Sequence, residues 1–287
     1  MKSKVSPILW GIIFMLASLA LALYVAVQEK AVFASSQISS PDYSLPKVTI
    51  YFFSVVLVMV VVLLIIPAKW LKYVFKALFA ILFAGGVFIV VGLNLPEWAS
   101  FTLAAIAGLV WLLWNRIWLH DLLLLIALAG AGAGVGFVLS PWTFMIFMLI
   151  IAVYDFLAVR FGLMVWMADR MSRSTSLPAF ILPKQTKDWS LKTATVQLGD
   201  LKEKPTEQRD YAILGGGDIG FPLMLAVSVF FKFDLAGGII VGAFGLLGLI
   251  GAFLIQIYWL KGKPMPALPP IAVASLIGFL IVNYGLH

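Results

Sequence analysis

The sequence predicts an all-α polytopic membrane protein with nine transmembrane helices, and three observations lead there. Of 287 residues, 63% are apolar and only 11% charged, against about 25% charged in an ordinary soluble domain. The apolar residues gather into nine stretches, each near the roughly 20 helical residues that a hydrocarbon core demands. The lysines and arginines between them fall almost entirely on one side. Composition also excludes chemistries. There is no cysteine, so disulfides, thiolate nucleophiles and cysteine-ligated zinc are ruled out. Two histidines, His120 and His287, are too few for a histidine-rich metal site, and no H-E-x-x-H pattern occurs. No metal and no cofactor are expected. The net charge of +7 sits where a membrane surface, rather than nucleic acid, would meet it.

The first stretch, 6–27, follows Lys2 and Lys4 as a signal peptide would. Its apolar run is longer than the roughly 7–15 residues of a signal h-region, so it is read as a retained span. Spans over 48–67, 71–93 and 95–114 follow. The fifth, 118–139, is rich in small residues from Ala129 to Gly134 and at Gly136, and the eighth, 235–260, carries Gly238, Gly242, Gly245, Gly248 and Gly251. Small residues at three- and four-residue spacing let helix backbones approach closely. The sixth (141–166), seventh (212–231) and ninth (266–286) complete the set. Nine crossings place the N-terminus and the even-numbered loops on one side. That side holds 16 of the 20 Lys and Arg; only Lys30, Lys47 and Lys232 lie opposite, and Arg160 lies within a span. Basic loops stay cytoplasmic, so the N-terminus is expected inside and the C-terminus outside, in the cell membrane if the source is prokaryotic.

The chain divides into a five-span scaffold, 1–140, and a part over 141–287 that carries the candidate chemistry. The second part includes a polar cytoplasmic loop, 167–211. Within that loop Leu191-Lys192-Thr193-Ala194-Thr195-Val196-Gln197-Leu198 has the β-branched character of a short strand.

An ionisable side chain deep in a bilayer costs about 3 kcal/mol or more and needs a reason. Asp155 and Arg160 in the sixth span and Asp218 in the seventh qualify, whereas Glu97 and Asp121 lie near span ends where they can reach an interface. Asp218 lies about 9 Å and Asp155 about 16 Å from the inner end of its span at helical rise. Ending the sixth span at Arg160 would bring the two levels together. Ala152, Val159 and Gly162 flank Asp155 at helical spacing, giving a slim face. Arg160 is about 140° around the helix from Asp155 and does not pair with it directly. Two carboxyls in one poorly solvated pocket resist double ionisation, which gives a one-proton state able to activate water for peptide hydrolysis. The alternative from another class is an ion channel or ion-coupled transporter using the same acids. That reading calls for inverted repeats with matching broken helices, and the sequence shows no such symmetry.

The residues around the acids are more specific. Tyr154-Asp155 sits in Ala152-Val153-Tyr154-Asp155-Phe156-Leu157-Ala158-Val159, Asp218 closes Gly215-Gly216-Gly217-Asp218, and Pro266-Ala267-Leu268-Pro269 opens the last span. In chain order these resemble the Y-D, G-x-G-D and P-A-L signatures of the presenilin and signal-peptide-peptidase family of intramembrane aspartyl proteases. The resemblance implies a presenilin-like fold, Asp155 and Asp218 as catalytic residues, and Tyr154, Gly215, Gly217, Pro266, Ala267 and Leu268 as substrate-binding residues. It also implies transmembrane peptide substrates held in the lipid bilayer, with no nucleic acid. The cytoplasmic N-terminus matches presenilin, and the short loops suit a compact prokaryotic homologue. Gly216 stands where the family often has a larger residue. Another G-x-G-D protease, the prepilin or preflagellin peptidase, would lack both the Tyr-Asp context and the Pro-Ala-Leu element.

Each motif also has a physical reading. Gly215 and Gly217 permit close backbone approach beside Asp218. Tyr211-Ala212-Ile213-Leu214 has the makings of a strand that adds to substrate backbone. Pro266 and Pro269 prevent regular helix before the ninth span, exposing backbone groups.

Overall fold

The nine apolar stretches become nine helices among the residues that the computed structural model describes, 7–37, 43–162, 177–193, 210–260 and 265–285. They are α1 (Pro7–Ser35), α2 (Leu45–Ile65), α3 (Ala68–Gly92), α4 (Glu97–Leu113), α5 (Ile117–Val138), α6 (Pro141–Arg160), α7 (Gly216–Lys232), α8 (Leu235–Tyr258) and α9 (Leu268–Gly285). Seven are long and apolar enough to cross a membrane. The other two, α4 and α7, have 17 residues each, the lower limit of what spans a bilayer.

Where boundaries differ from the sequence reading, local chemistry explains it. α1 runs on past residue 27 because its last turns still have partners. Glu29 is buried, Lys30 lies 4.8 Å from the Phe230 ring centroid, and Phe33 meets Phe137 at 4.2 Å. α6 stops at Arg160 instead of continuing to 166, because Gly162 takes φ +72°, the left-handed conformation that closes helix C-termini. Gly162 therefore lies beyond the helical face that carries Asp155, and that face ends at Val159. At its other end Pro141 opens α6, and the Ser140 hydroxyl accepts the Thr143 N–H at 3.3 Å, a regular N-cap.

α5 lies at the centre, with α3 on one side and α1 and α7 on others. Its small residues are needed there: a Cβ at Gly132 would fall 1.9 Å from Leu223 and one at Gly136 2.6 Å from Val227. In α8, Gly238, Gly242, Gly245 and Gly248 are packed in the same way, whereas nothing lies within 4 Å of a Cβ at Gly251. α2 is peripheral. Only Leu63 of that helix is buried, and Ile50, Tyr51, Val55, Leu57, Val58, Leu64 and Ile65 face outward, a surface that only hydrocarbon solvates favourably.

Of the strand expected at 191–198, only Leu191 to Thr193 are among the described residues. They are outside any strand, apart from an isolated bridge between Lys192 and Arg116, and 194–198 lie outside the described residues. The strands among the described residues are β1 (Ala179–Pro183) and β2 (Tyr211–Gly215), antiparallel, in the register Ala179 to Gly215 through Pro183 to Tyr211. β2 takes the residues expected to open the seventh span, so α7 begins at Gly216. A 3-10 turn, Thr186–Ser190, follows β1 and is fastened to the α4–α5 connection. The Ile117 N–H reaches Leu191 O at 3.0 Å, and Arg116 donates to Ser190 O.

Candidate active site

Asp155 sits on α6, about one and a half turns before its end. Its Oδ2 accepts the N–H of Leu268 at 3.3 Å. Leu268 is the first residue of α9 and is buried. Prolines at 266, 269 and 270 leave only Ala267 and Leu268 with N–H groups in that stretch. The carboxylate thus receives one of the amides that a helix N-terminus leaves without an intrahelical partner.

Asp218 is the third residue of α7, in its first turn, and is half-buried. It accepts a hydrogen bond from the Gly215 backbone. A Cβ at Gly215 would lie 3.0 Å from Asp218 Oδ2, so a side chain there would press on the carboxylate packed over it. Gly217 is different: it is exposed, and a Cβ there would meet only the Phe221 ring, at 3.1 Å. Gly216 donates to Pro178 O at 2.9 Å, which closes the end of the ribbon. Pro222, one turn on, has no N–H with which to bond the Asp218 carbonyl.

A cavity of about 80 Å³ opens beside Asp218, with Ile213 and Leu214 of β2, Phe253 and Gln256 of α8, and Met265 and Ala267 in its wall. That is room for a few waters. Of the residues singled out in the sequence, this cavity brings together Ile213, Leu214, Asp218 and Ala267. Asp155 is not in the cavity wall; it is tied to the neighbouring residue of that wall through the Leu268 N–H. Tyr154 lies elsewhere, half-buried with its ring edge-on to Phe53 at 5.7 Å and to Phe52 at 6.4 Å, so that it links α6 to α2. Pro266 is not in the cavity wall, and Arg160 is exposed at the end of α6. Gln256 escaped the sequence reading, although the signal was present: it is an amide in an otherwise apolar stretch, 235–257. The expectation that Asp121 reaches an interface is overturned, since both Asp121 and His120 have no exposed surface at all.

The family model described as signal-peptide peptidase, presenilin aspartyl protease matches residues 10–285. The chain belongs to that family. It is an intramembrane aspartyl protease and a multi-pass membrane protein. Two solved structures, both described as a presenilin family intramembrane aspartate protease, share its fold. The one in space group C222 gives a TM-score of 0.59 at 18% identity over 98% of each chain. The one in P2 gives 0.60 at 18% identity over 96% of each. No curated protein sequence matches it at a significant level.

Proposed function

We propose that Asp155 and Asp218 are the catalytic pair of this protease and that its substrates are transmembrane segments of other proteins. The observation that carries the reading is the way the two acids are held. Each receives a backbone hydrogen bond, from Leu268 and from Gly215, and Asp218 borders a cavity able to hold water whose wall includes Ala267, the residue before Leu268. In the one-proton state the ionised carboxylate takes a proton from water, and the resulting hydroxide attacks the scissile carbonyl carbon. The protonated carboxyl gives its proton to the carbonyl oxygen. Collapse of the tetrahedral intermediate then breaks the C–N bond, and the amine leaves with a proton returned from the pair.

Substrate backbone fits the outer edge of β2. The bonds from Gly216 N to Pro178 O and from Lys184 N to Asp210 O fix which residues of the ribbon face each other through hydrogen bonds. By the alternation of antiparallel pairs, Ile213 turns its N–H and C=O away from β1. Its side chain is in the cavity wall beside Asp218. An added strand there would lie against the two acids. Gly215, Gly217, Pro266, Ala267 and Leu268 then border the substrate, and Tyr154 acts by bracing α2. On this reading α1 to α5 are scaffold, α6 to α9 carry the chemistry, and the basic side faces the cytoplasm.

The test is incubation of detergent-purified protein with a single-span peptide. Wild type is expected to release two fragments and Asp218→Asn none. Equal cleavage by both would overturn the assignment.

A further inference from the structure

β1 has two edges, and the one turned away from β2 is closed by α5. Residues 178, 180, 182 and 184 face β2, so Ala179, Ile181 and Pro183 present their backbone groups outward. The Ile181 N–H is taken by Asp121, at 3.1 Å to Oδ1 and 3.2 Å to Oδ2. The Ala179 carbonyl lies 3.2 Å from His120 Nε2. A carbonyl can only accept, so Nε2 carries the proton. Pro183 has no N–H to offer. Consecutive residues of α5 thus supply the acceptor and the donor that one residue of an adjoining strand would supply. Both have no exposed surface, and the His120 ring is fixed among Phe79, Phe83 and Trp111 at 5.5 to 6.2 Å.

We propose that Asp121 and His120 are positioning residues: they anchor β1 to α5, and through the ribbon they fix where β2 presents substrate to Asp218. The inference rests on the proposed use of the β2 edge. A two-stranded ribbon is marginal by itself, and strands slip in steps that keep their side-chain faces unless something pins the register. The pin is a buried carboxylate at Ile181, in the strand whose partner ends at Gly215, the residue whose backbone bonds Asp218. The same clasp occupies the outer edge of β1, so the added strand is assigned to β2.

Two measurements on the full chain in detergent test this. The first is amide exchange over 177–184, with α5 and α9 peptides as the folding control. The second is the masses of products from a single-span peptide. Asp121→Leu is expected to speed exchange at Ile181 by about tenfold or more, the scale of leaving a buried donor without its partner, and to add products cut at displaced positions. Asp121→Asn, which keeps an accepting oxygen, is expected to stay within about threefold of wild type in exchange and to keep its product pattern. A merely structural role would lower the amount of product and leave cut positions unchanged. Wild-type exchange and products in Asp121→Leu would overturn the proposal, as would equal damage in Asp121→Asn. Should Asp121→Leu lose helix protection, His120→Phe, which keeps the ring packing, decides by the same two readouts. Cleavage by Asp218→Asn equal to wild type would sink the active-site reading, while the exchange result would still decide the clasp.

Discussion

Asp155 and Asp218 are held differently, and the difference predicts how their neighbours respond to change. Asp155 leans on a helix N-terminus through Leu268, whereas Asp218 is packed over a glycine in its own turn. Asp155→Asn and Asp218→Asn should each lower kcat by about 10²–10⁴-fold, the range for lost acid–base catalysis, with an unchanged melting temperature in detergent. Retained turnover in either folded variant would reject the pair. Gly215→Ala puts a methyl 3.0 Å from Asp218 Oδ2. The carboxylate must give by a few tenths of an ångström, and since a displacement of about 1 Å costs about 100-fold, kcat/KM should fall by only about three- to tenfold. Gly217→Ala meets only an aromatic ring that can turn, and should lose far less. Comparable losses in the two variants would mean that the packing of Asp218 over Gly215 does not matter.

At the scale of elements, close approach between helices is decided glycine by glycine. α8 and α9 touch at Gly248, where a Cβ would fall 2.6 Å from the Ile271 Cα, a backbone atom that cannot step aside. Gly248→Val should therefore destabilise by about 1–3 kcal/mol, the usual cost of overpacking. Gly251, three residues on with nothing within 4 Å, should tolerate the same change within about 0.5 kcal/mol. Thermal unfolding of both variants in one detergent checks the contrast, and equal melting points would contradict it. Because α9 opens at Leu268, which holds Asp155, Gly248→Val should also cost activity beyond its loss of folded protein.

For the whole molecule, two expectations follow from charge. The chain has no cysteine, so single cysteines report sidedness cleanly. Lys187 and Tyr284 are both exposed. Lys187→Cys should react with an impermeant maleimide only from the cytoplasmic side, and Tyr284→Cys only from the other. Labelling of both from one side would break the orientation. The shared proton gives the second expectation. Cleavage against pH should be bell-shaped, lost on the acid side when both carboxyls are protonated and on the alkaline side when both are ionised. A flat profile with intact protein would argue against one proton shared by two acids.

The sequence by itself determined the membrane class, the nine helices to within a few residues at most ends, and the two acids worth following. Hydrocarbon makes this legible. It accepts long apolar helices and little else, and an ionisable residue within one stands out by its cost. The ends that moved, at Ser35, Arg160 and Gly216, did so for reasons of packing, a left-handed glycine and a strand. Of the ribbon, Tyr211 to Leu214 was legible as a strand, whereas its pairing with β1 belonged to the tertiary structure alone. Ala179 to Pro183 is a short apolar run inside a polar loop, and its partner lies about thirty residues away, so no local period announces it. Asp121 shows the same limit. Near a span end a carboxylate reads as reaching water, and only the docking of β1 on α5 turned it inward, where the Ile181 amide takes the place of solvent. Local pattern reports which solvent a segment prefers. Which backbone group a side chain meets is set by distant segments folding against it.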